Sequence, residues 1–275
     1  MPLSQPRRTL IPAADPDKAV GNALPHDSAA WQIQGKANYI DDLPEPSGLL
    51  HMALGYAVQG ASGPIVALDL NDVRSAPGVV AVLTAADIPG ANECSPSFGG
   101  DPILANDRIE FHGQLVFAVV AHTRDQARHA ARRSRIEIAQ ETPAISVDDG
   151  LISGETVLPN YQFLRGDPDK VIAASERQAS GSVRVGGQEH FYLEGQIAMA
   201  VPGEGGGMHI FSSTQHPTEV QHLVARMLTL SEAQVVTECR RMGGGFGGKE
   251  SQASQWACLA ALGAHATGRG VKIRL

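Results

Sequence analysis

Cysteine is nearly absent from this sequence. Three residues in 275, Cys94, Cys239 and Cys258, stand far apart and without C-x-x-C spacing. A local iron–sulfur or structural zinc motif is thereby excluded, a disulfide scaffold is disfavoured, and a reducing, cytoplasmic setting fits best. Basic clusters are missing as well: 22 Lys and Arg are dispersed among 29 Asp and Glu, for a net charge of −7. Without a positive footprint the chain offers nothing to a phosphate backbone, so a small molecule is expected as its partner and nucleic acid is not. No run of about 18 apolar residues occurs, and Arg7 and Arg8 are not followed by an apolar stretch of signal-peptide length. The chain is therefore expected to be neither membrane-spanning nor secreted. It also lacks internal repeats and low-complexity tracts.

What is present belongs to a globular protein: 43% hydrophobic residues, 30 Gly and 17 Pro, over a length that suits about two domains. Residues 1–27, with proline at 2, 6, 12, 16 and 25, read as an extended leader. Residues 28–140 read as one mixed α/β unit. Strands are expected at Leu49–Gly55, Val66–Leu70, Val79–Leu83 and Ser134–Ala139, with a fully buried one at Leu115–Ala121. Thr123 and Gln126 form the pattern of a capping box, which opens a helix over about Arg124–Arg133. Residues 141–181 read as a connector. The second unit, 182–275, has strand candidates at Ser182–Val185, Gln196–Val201, Met208–Ser212 and Val235–Cys239. A helix over about Pro217–Leu230 is specified by Val220, Leu223, Val224, Met227 and Leu228, with Thr218 and Gln221 as a second capping box. An Ala-rich helix spans about Ser251–Thr267, and the sequence closes on Val271–Leu275, which reads as an interrupted strand.

The strongest local feature is Met242-Gly243-Gly244-Gly245-Phe246-Gly247-Gly248-Lys249-Glu250, between a strand and a helix. Glycines around one Phe, expected to be buried, expose backbone N–H groups and let a ligand approach the main chain, while the following helix adds its positive end. An anionic or oxo-bearing ligand suits such a loop; a plain flexible connector is the alternative. Two nucleotide motifs match only in part. Gly243, Gly245 and Gly248 satisfy G-x-G-x-x-G, but about 20 positions on the acidic residue is replaced by Gly268 and Arg269. Gly243 with Gly248-Lys249 fits a P-loop, but Glu250 stands where Ser or Thr must ligate Mg²⁺.

The string Arg241–Glu250 resembles the molybdopterin-binding subunits of the xanthine dehydrogenase and aldehyde oxidase family. Further segments resemble the same family in the same order: Gly35–Asp42, Ala76–Val79 with Ala86–Gly90, and Gly113-Gln114 upstream; then Gln188–Glu194 and Ser213–Pro217. The resemblance implies an α+β fold class, with an α/β hammerhead domain followed by the start of a molybdopterin-binding α+β domain. It implies that the Gln215 side chain and the Gly245, Phe246 and Gly247 backbone bind the molybdenum cofactor. Gln215 and Phe246 would lie near the metal without ligating it, since the pterin dithiolene holds it. Glu250 matches the family position that contacts the substrate ring, where a carboxylate suits a purine. A helix-entry carboxylate favoured by the dipole is the plain alternative. His190 and Glu194 read as satisfied interior polar groups.

Members of the family hydroxylate a carbon beside a ring nitrogen, or an aldehyde carbon, with oxygen from water. The resemblance therefore implies a xanthine dehydrogenase-like hydroxylase; an aldehyde oxidase-type enzyme and a non-catalytic docking or assembly module are the competing readings. The [2Fe–2S] clusters and FAD are expected on a partner subunit, in a hetero-oligomer. An F-R-G-F-G-like loop and a G-E-P-P-like segment bearing the general-base Glu do not occur in these residues, so the chain is expected to be an N-terminal portion, inactive alone.

Overall fold

The computed structural model describes residues 20–275 apart from 59, 61, 96, 155 and 157. Most of the extended leader lies outside the described residues, and 20–27 form exposed turns and irregular backbone. The strands are β1 Leu50–Tyr56, β2 Gly63–Asp69, β3 Val79–Thr84, β4 Arg108–Ile109, β5 Leu115–Ala121, β6 Arg135–Ile138, β7 Ile197–Pro202, β8 Met208–Ser212, β9 Val235–Glu238 and β10 Val271–Arg274. The helices are α1 Ala29–Ile33, α2 Asn71–Arg74, α3 Arg124–Ala131, α4 Val147–Ser153, α5 Pro168–Ala174, α6 Pro217–Leu228 and α7 Gln252–Thr267. Seven strands make one mixed sheet in the order β3-β5-β1-β10-β7-β8-β9, and β4-β2-β6 make a smaller one, giving an α+β architecture. Among the described residues no helix is long and apolar enough to cross a membrane.

β5 shows why the large sheet forms. All seven of its residues are buried, and the period-2 pleat sends Ala118 and Val120 into one core while Phe117, Val119 and Ala121 enter another. The first core lies under α6 and α7; the second lies under α2 and α3, with the small sheet at its margin. The alanines of α7 permit close approach: a Cβ at Gly263 would stand 2.8 Å from Met52 and 3.2 Å from Val120, so the helix lies almost directly on the strands.

The C-terminal segment forms a regular strand. β10 pairs in parallel with β1 and antiparallel with β7, so the β-type pattern expected at Val271–Leu275 is a strand of the large sheet. Its Val271 and Ile273 enter the core, while the buried Lys272 on the other face binds Asp41 Oδ1 at 2.9 Å and Glu45 Oε1 at 3.1 Å. Those carboxylates, brought back from residues 41–45, make a charged side chain tolerable in a central strand.

Three local expectations also change. Ser182–Val185 is exposed and irregular, and none of the described residues from 140 to 195 belongs to either core. The second capping box is replaced: Pro217 takes the first helical position and His216 Nδ1 accepts the Glu219 N–H at 2.9 Å. Gln221 instead donates to the carbonyls of Glu232 and Val235, which ties α6 to β9. At α3 only half of the box forms: Thr123 Oγ1 accepts the Gln126 N–H at 3.2 Å, while Gln126 Oε1 is buried without a partner among the described residues.

The loop after β3 joins the two halves. Gly90 N–H donates to Met227 O at 2.8 Å, and a Cβ at Gly90 would strike the Arg226 carbonyl. Arg226 Nη2 donates to Glu93 O at 2.9 Å. Glu93 in turn accepts backbone N–H groups from Ser95, Gly100 and Asp101 at 2.7, 2.7 and 3.1 Å, closing the loop on itself.

Candidate cofactor site

Residues 243–250 form a turn between β9 and α7, and three features hold its shape. Gly244 and Gly247 have φ of +97° and +95°, which glycine adopts without strain. Phe246 has φ of +53°, a left-handed conformation that costs a side-chain-bearing residue about 1–2 kcal/mol. Thr229, at the C-cap of α6, and Phe191, in the neighbouring loop, also have positive φ, so Phe246 shares its conformation with a second loop residue beside it. The expected burial of Phe246 is overturned. Its ring is 75% exposed because the inner side of the turn is already filled by Tyr192, Gln196 and the stem of Lys249.

Gln215 fixes the turn from the neighbouring strand end. Its side-chain Oε1 accepts the N–H groups of Gly247 at 2.9 Å and Lys249 at 3.3 Å, and its own N–H donates to Lys249 O at 2.9 Å. A Cβ at Gly245 would stand 2.5 Å from that Oε1, so only glycine leaves room for the amide. Because Oε1 is turned to the backbone, the end of Gln215 left for a ligand is the Nε2 donor. The N–H groups of Gly244, Gly245 and Phe246 make no hydrogen bond among the described residues. The structure thus brings Gln215, Gly245, Phe246 and Gly247 together as a cluster of donors, which suits an anionic or oxo-bearing group. Glu250 stands exposed at the entrance of α7, one residue beyond the turn's buried end.

The segment Gln188–Glu194 runs alongside. A Cβ at Gly248 would meet the rings of Tyr192 and His190 at 2.7 and 2.9 Å, so glycine is again required by close approach. His190 is 39% exposed rather than interior. Glu194 is more than a satisfied interior group: Oε2 accepts from Gly243 N–H at 2.7 Å and Ser213 Oγ at 2.6 Å, while Oε1 is buried without a partner among the described residues. Residue-type reasoning passed over Lys249, whose side chain is fully buried. The available signal was a lysine placed directly after two glycines, at the end of the glycine run.

All three cysteine thiols are pushed up by burial, Cys94 to about 12, so none has thiolate character. Among the described residues no group of three His, Cys, Asp or Glu is placed to hold a metal ion.

A fixed amide donor beside a turn of unpaired N–H groups, held between a mixed sheet and a helix entrance, is chemically suited to an anionic or oxo-bearing group. Comparison with known proteins gives the family. Residues 153–275 match the molybdopterin cofactor-binding domain, and residues 34–142 match the aldehyde oxidase and xanthine dehydrogenase a/b hammerhead domain. The chain is 36% identical to the xanthine dehydrogenase of Oryza sativa subsp. japonica over 262 residues, 94% of this chain and 19% of that protein. It is 35% identical to the xanthine dehydrogenase/oxidase of Mus musculus, over 93% of this chain and 19% of that protein. Among solved structures it resembles the aldehyde oxidoreductase from Desulfovibrio gigas with a TM-score of 0.80 and 27% identity, over 91% of this chain and 30% of that one. Quinoline 2-oxidoreductase from Pseudomonas putida 86 follows with a TM-score of 0.78 and 26% identity, over 96% of this chain and 35% of that one. The chain belongs to the xanthine dehydrogenase and aldehyde oxidase family, and it spans about a fifth of the length of the xanthine dehydrogenases it matches.

Proposed function

We propose that this chain supplies the first part of the molybdenum-cofactor site of a xanthine dehydrogenase-like hydroxylase. The observation that carries the proposal is the donor set of the 243–249 turn: the Gln215 side chain turned with Oε1 inward, and unpaired amides at Gly244, Gly245 and Phe246. Those groups fit the cofactor, because oxo and dithiolene ligands are acceptors, and the Gly245 position has no room for a side chain. Gln215, Gly245, Phe246 and Gly247 would hold it. When bound, the cofactor supplies the hydroxylating and electron-accepting chemistry. The part of these residues is to orient it with fixed donors.

Glu250 is the proposed substrate contact. It is exposed at the edge of the turn, free to meet a ring that presents N–H groups, as a purine does. The general base, the iron–sulfur clusters and FAD are assigned to polypeptide other than these 275 residues, in a cytoplasmic hetero-oligomer. Alone, the chain is expected to be inactive.

Two measurements test this. The chain purified from cells competent in cofactor assembly should hold molybdenum well below one atom per chain; stoichiometric metal together with xanthine oxidation would overturn the assignment of the missing parts. In the assembled enzyme, Glu250→Val should depress purine turnover and spare aldehydes. Equal losses on both would remove Glu250 from substrate recognition. A chain that captures the iron–sulfur/FAD partner while the assembly holds no molybdenum would be a docking module.

A further inference from the structure

Lys249 is a fully buried ammonium for which cofactor contact by the turn leaves no task. Taking such a charge out of water costs several kcal/mol unless donors and acceptors are matched around it. Its closest partners are Glu194 O at 2.6 Å and Ser213 Oγ at 2.8 Å, with Glu194 Oε2 at 3.4 Å and the Tyr192 ring centroid at 4.7 Å. The same Glu194 Oε2 accepts the Gly243 N–H. Lys249 therefore pins residue 194, and residue 194 pins the start of the turn. The backbone of Lys249 closes the other end: its N–H donates to Gln215 Oε1, and its carbonyl accepts from Gln215 N–H and Thr214 Oγ1. Gly244, Gly245 and Phe246 lie between these two ties. Among the described residues the cluster has no spare donor, because Glu194 Oε1 is already buried without one.

We propose that Lys249 and Glu194 are positioning residues of the cofactor site, which hold both ends of the Gly243–Lys249 turn so that the intervening amides stay fixed and unpaired. Their importance for the cofactor rests on the reading of the turn given above; the pinning itself does not. Removing the ammonium leaves Glu194 O, Ser213 Oγ and the carboxylate short of a donor inside the protein, and the turn is the part free to move in response. Burial lowers the affinity of Lys249 for its proton and the nearby Glu194 opposes that, as expected for a charge held by its surroundings.

Amide hydrogen exchange on the 275-residue chain tests the proposal with Lys249→Met, Glu194→Ala and Glu194→Gln. The reporters are the Gly243, Gly247 and Lys249 amides, each of which donates a bond; amides of β5 and α6 serve as controls. Lys249→Met should speed the reporters by about tenfold or more and leave the controls within about twofold. Glu194→Ala should do the same at Gly243, and Glu194→Gln, which keeps an acceptor, should stay near the parent. Unchanged reporters, or an equal rise in reporters and controls, would overturn the proposal. If Lys249→Met does not fold, the Glu194 pair decides, and equal exchange in its Ala and Gln variants counts against pinning. The measurement needs no cofactor, so reporters that respond as stated in a protein whose assembled form lacks molybdenum would sink the cofactor reading alone.

Discussion

Gly245→Ala separates the shape of the turn from the stability of the fold. Gly245 lacks positive φ, so alanine is conformationally allowed and by itself would stabilise by about 0.4–1 kcal/mol through the unfolded chain. The added Cβ, however, falls 2.5 Å from Gln215 Oε1 and 2.7 Å from Cδ. Since Gln215 is exposed, its side chain has solvent to move into when displaced, and it swings away rather than straining the core. The bonds to Gly247 N–H and Lys249 N–H are then lost, at about 0.5–1.5 kcal/mol each. The net expectation is a loss of about 1 kcal/mol, or a melting temperature lower by about 2–4 °C for a chain of this size. Thermal melts of the parent, Gly245→Ala, Gln215→Ala and the double variant test this. Gln215→Ala removes the same acceptor without a clash, so the double variant should melt no lower than Gln215→Ala alone. Strict additivity of the two losses, or a drop beyond about 10 °C for Gly245→Ala, would refute the assignment of the clash to Gln215.

Three further outcomes follow from the packing and charge. Gly55→Ala drives a Cβ into the ring of the fully buried Phe117 and should destabilise by about 1–3 kcal/mol or more in urea unfolding, whereas a neutral result would mean that this core is loosely packed. Lys272→Met should cost about 2 kcal/mol, less than the roughly 3–5 of a fully buried pair because Asp41 and Glu45 reach water; an unchanged denaturation midpoint would show that the pair does not anchor residues 41–45 to β10. Burial pushes the Glu93 carboxyl up, but the N–H groups of Ser95, Gly100 and Asp101, with Arg226 nearby, together hold it below the usual carboxylate value. Its contribution is therefore complete above the ordinary carboxylate pKa and is lost as pH falls through the lower folded value. Acid titration of stability should show a shallower decline in Glu93→Gln than in the parent, and parallel curves would count against the loop's carboxylate.

Elements whose pattern is local are legible in the residues alone. Leu115–Ala121 had to be a buried strand because seven apolar residues, mostly β-branched or small, leave no face for water, and the stripe from Val220 to Leu228 had to be an amphipathic helix. The glycine turn was equally legible, since only unhindered backbone tolerates such an approach, and the resemblance of Arg241–Glu250 and Gln188–Glu194 to one family named its class. What distant residues do to one another emerges only in the fold. The place of β10 at the centre of the sheet depends on partners about 75 and 220 residues away, at β7 and β1, which no window contains. Lys272 survives there because residues 41 and 45 return to meet it, and Lys249 because residues 194 and 213 do. Phe246 was misread for the same reason: an apolar residue is buried only where the fold leaves space, and beneath this turn Tyr192, Gln196 and Lys249 had already taken it.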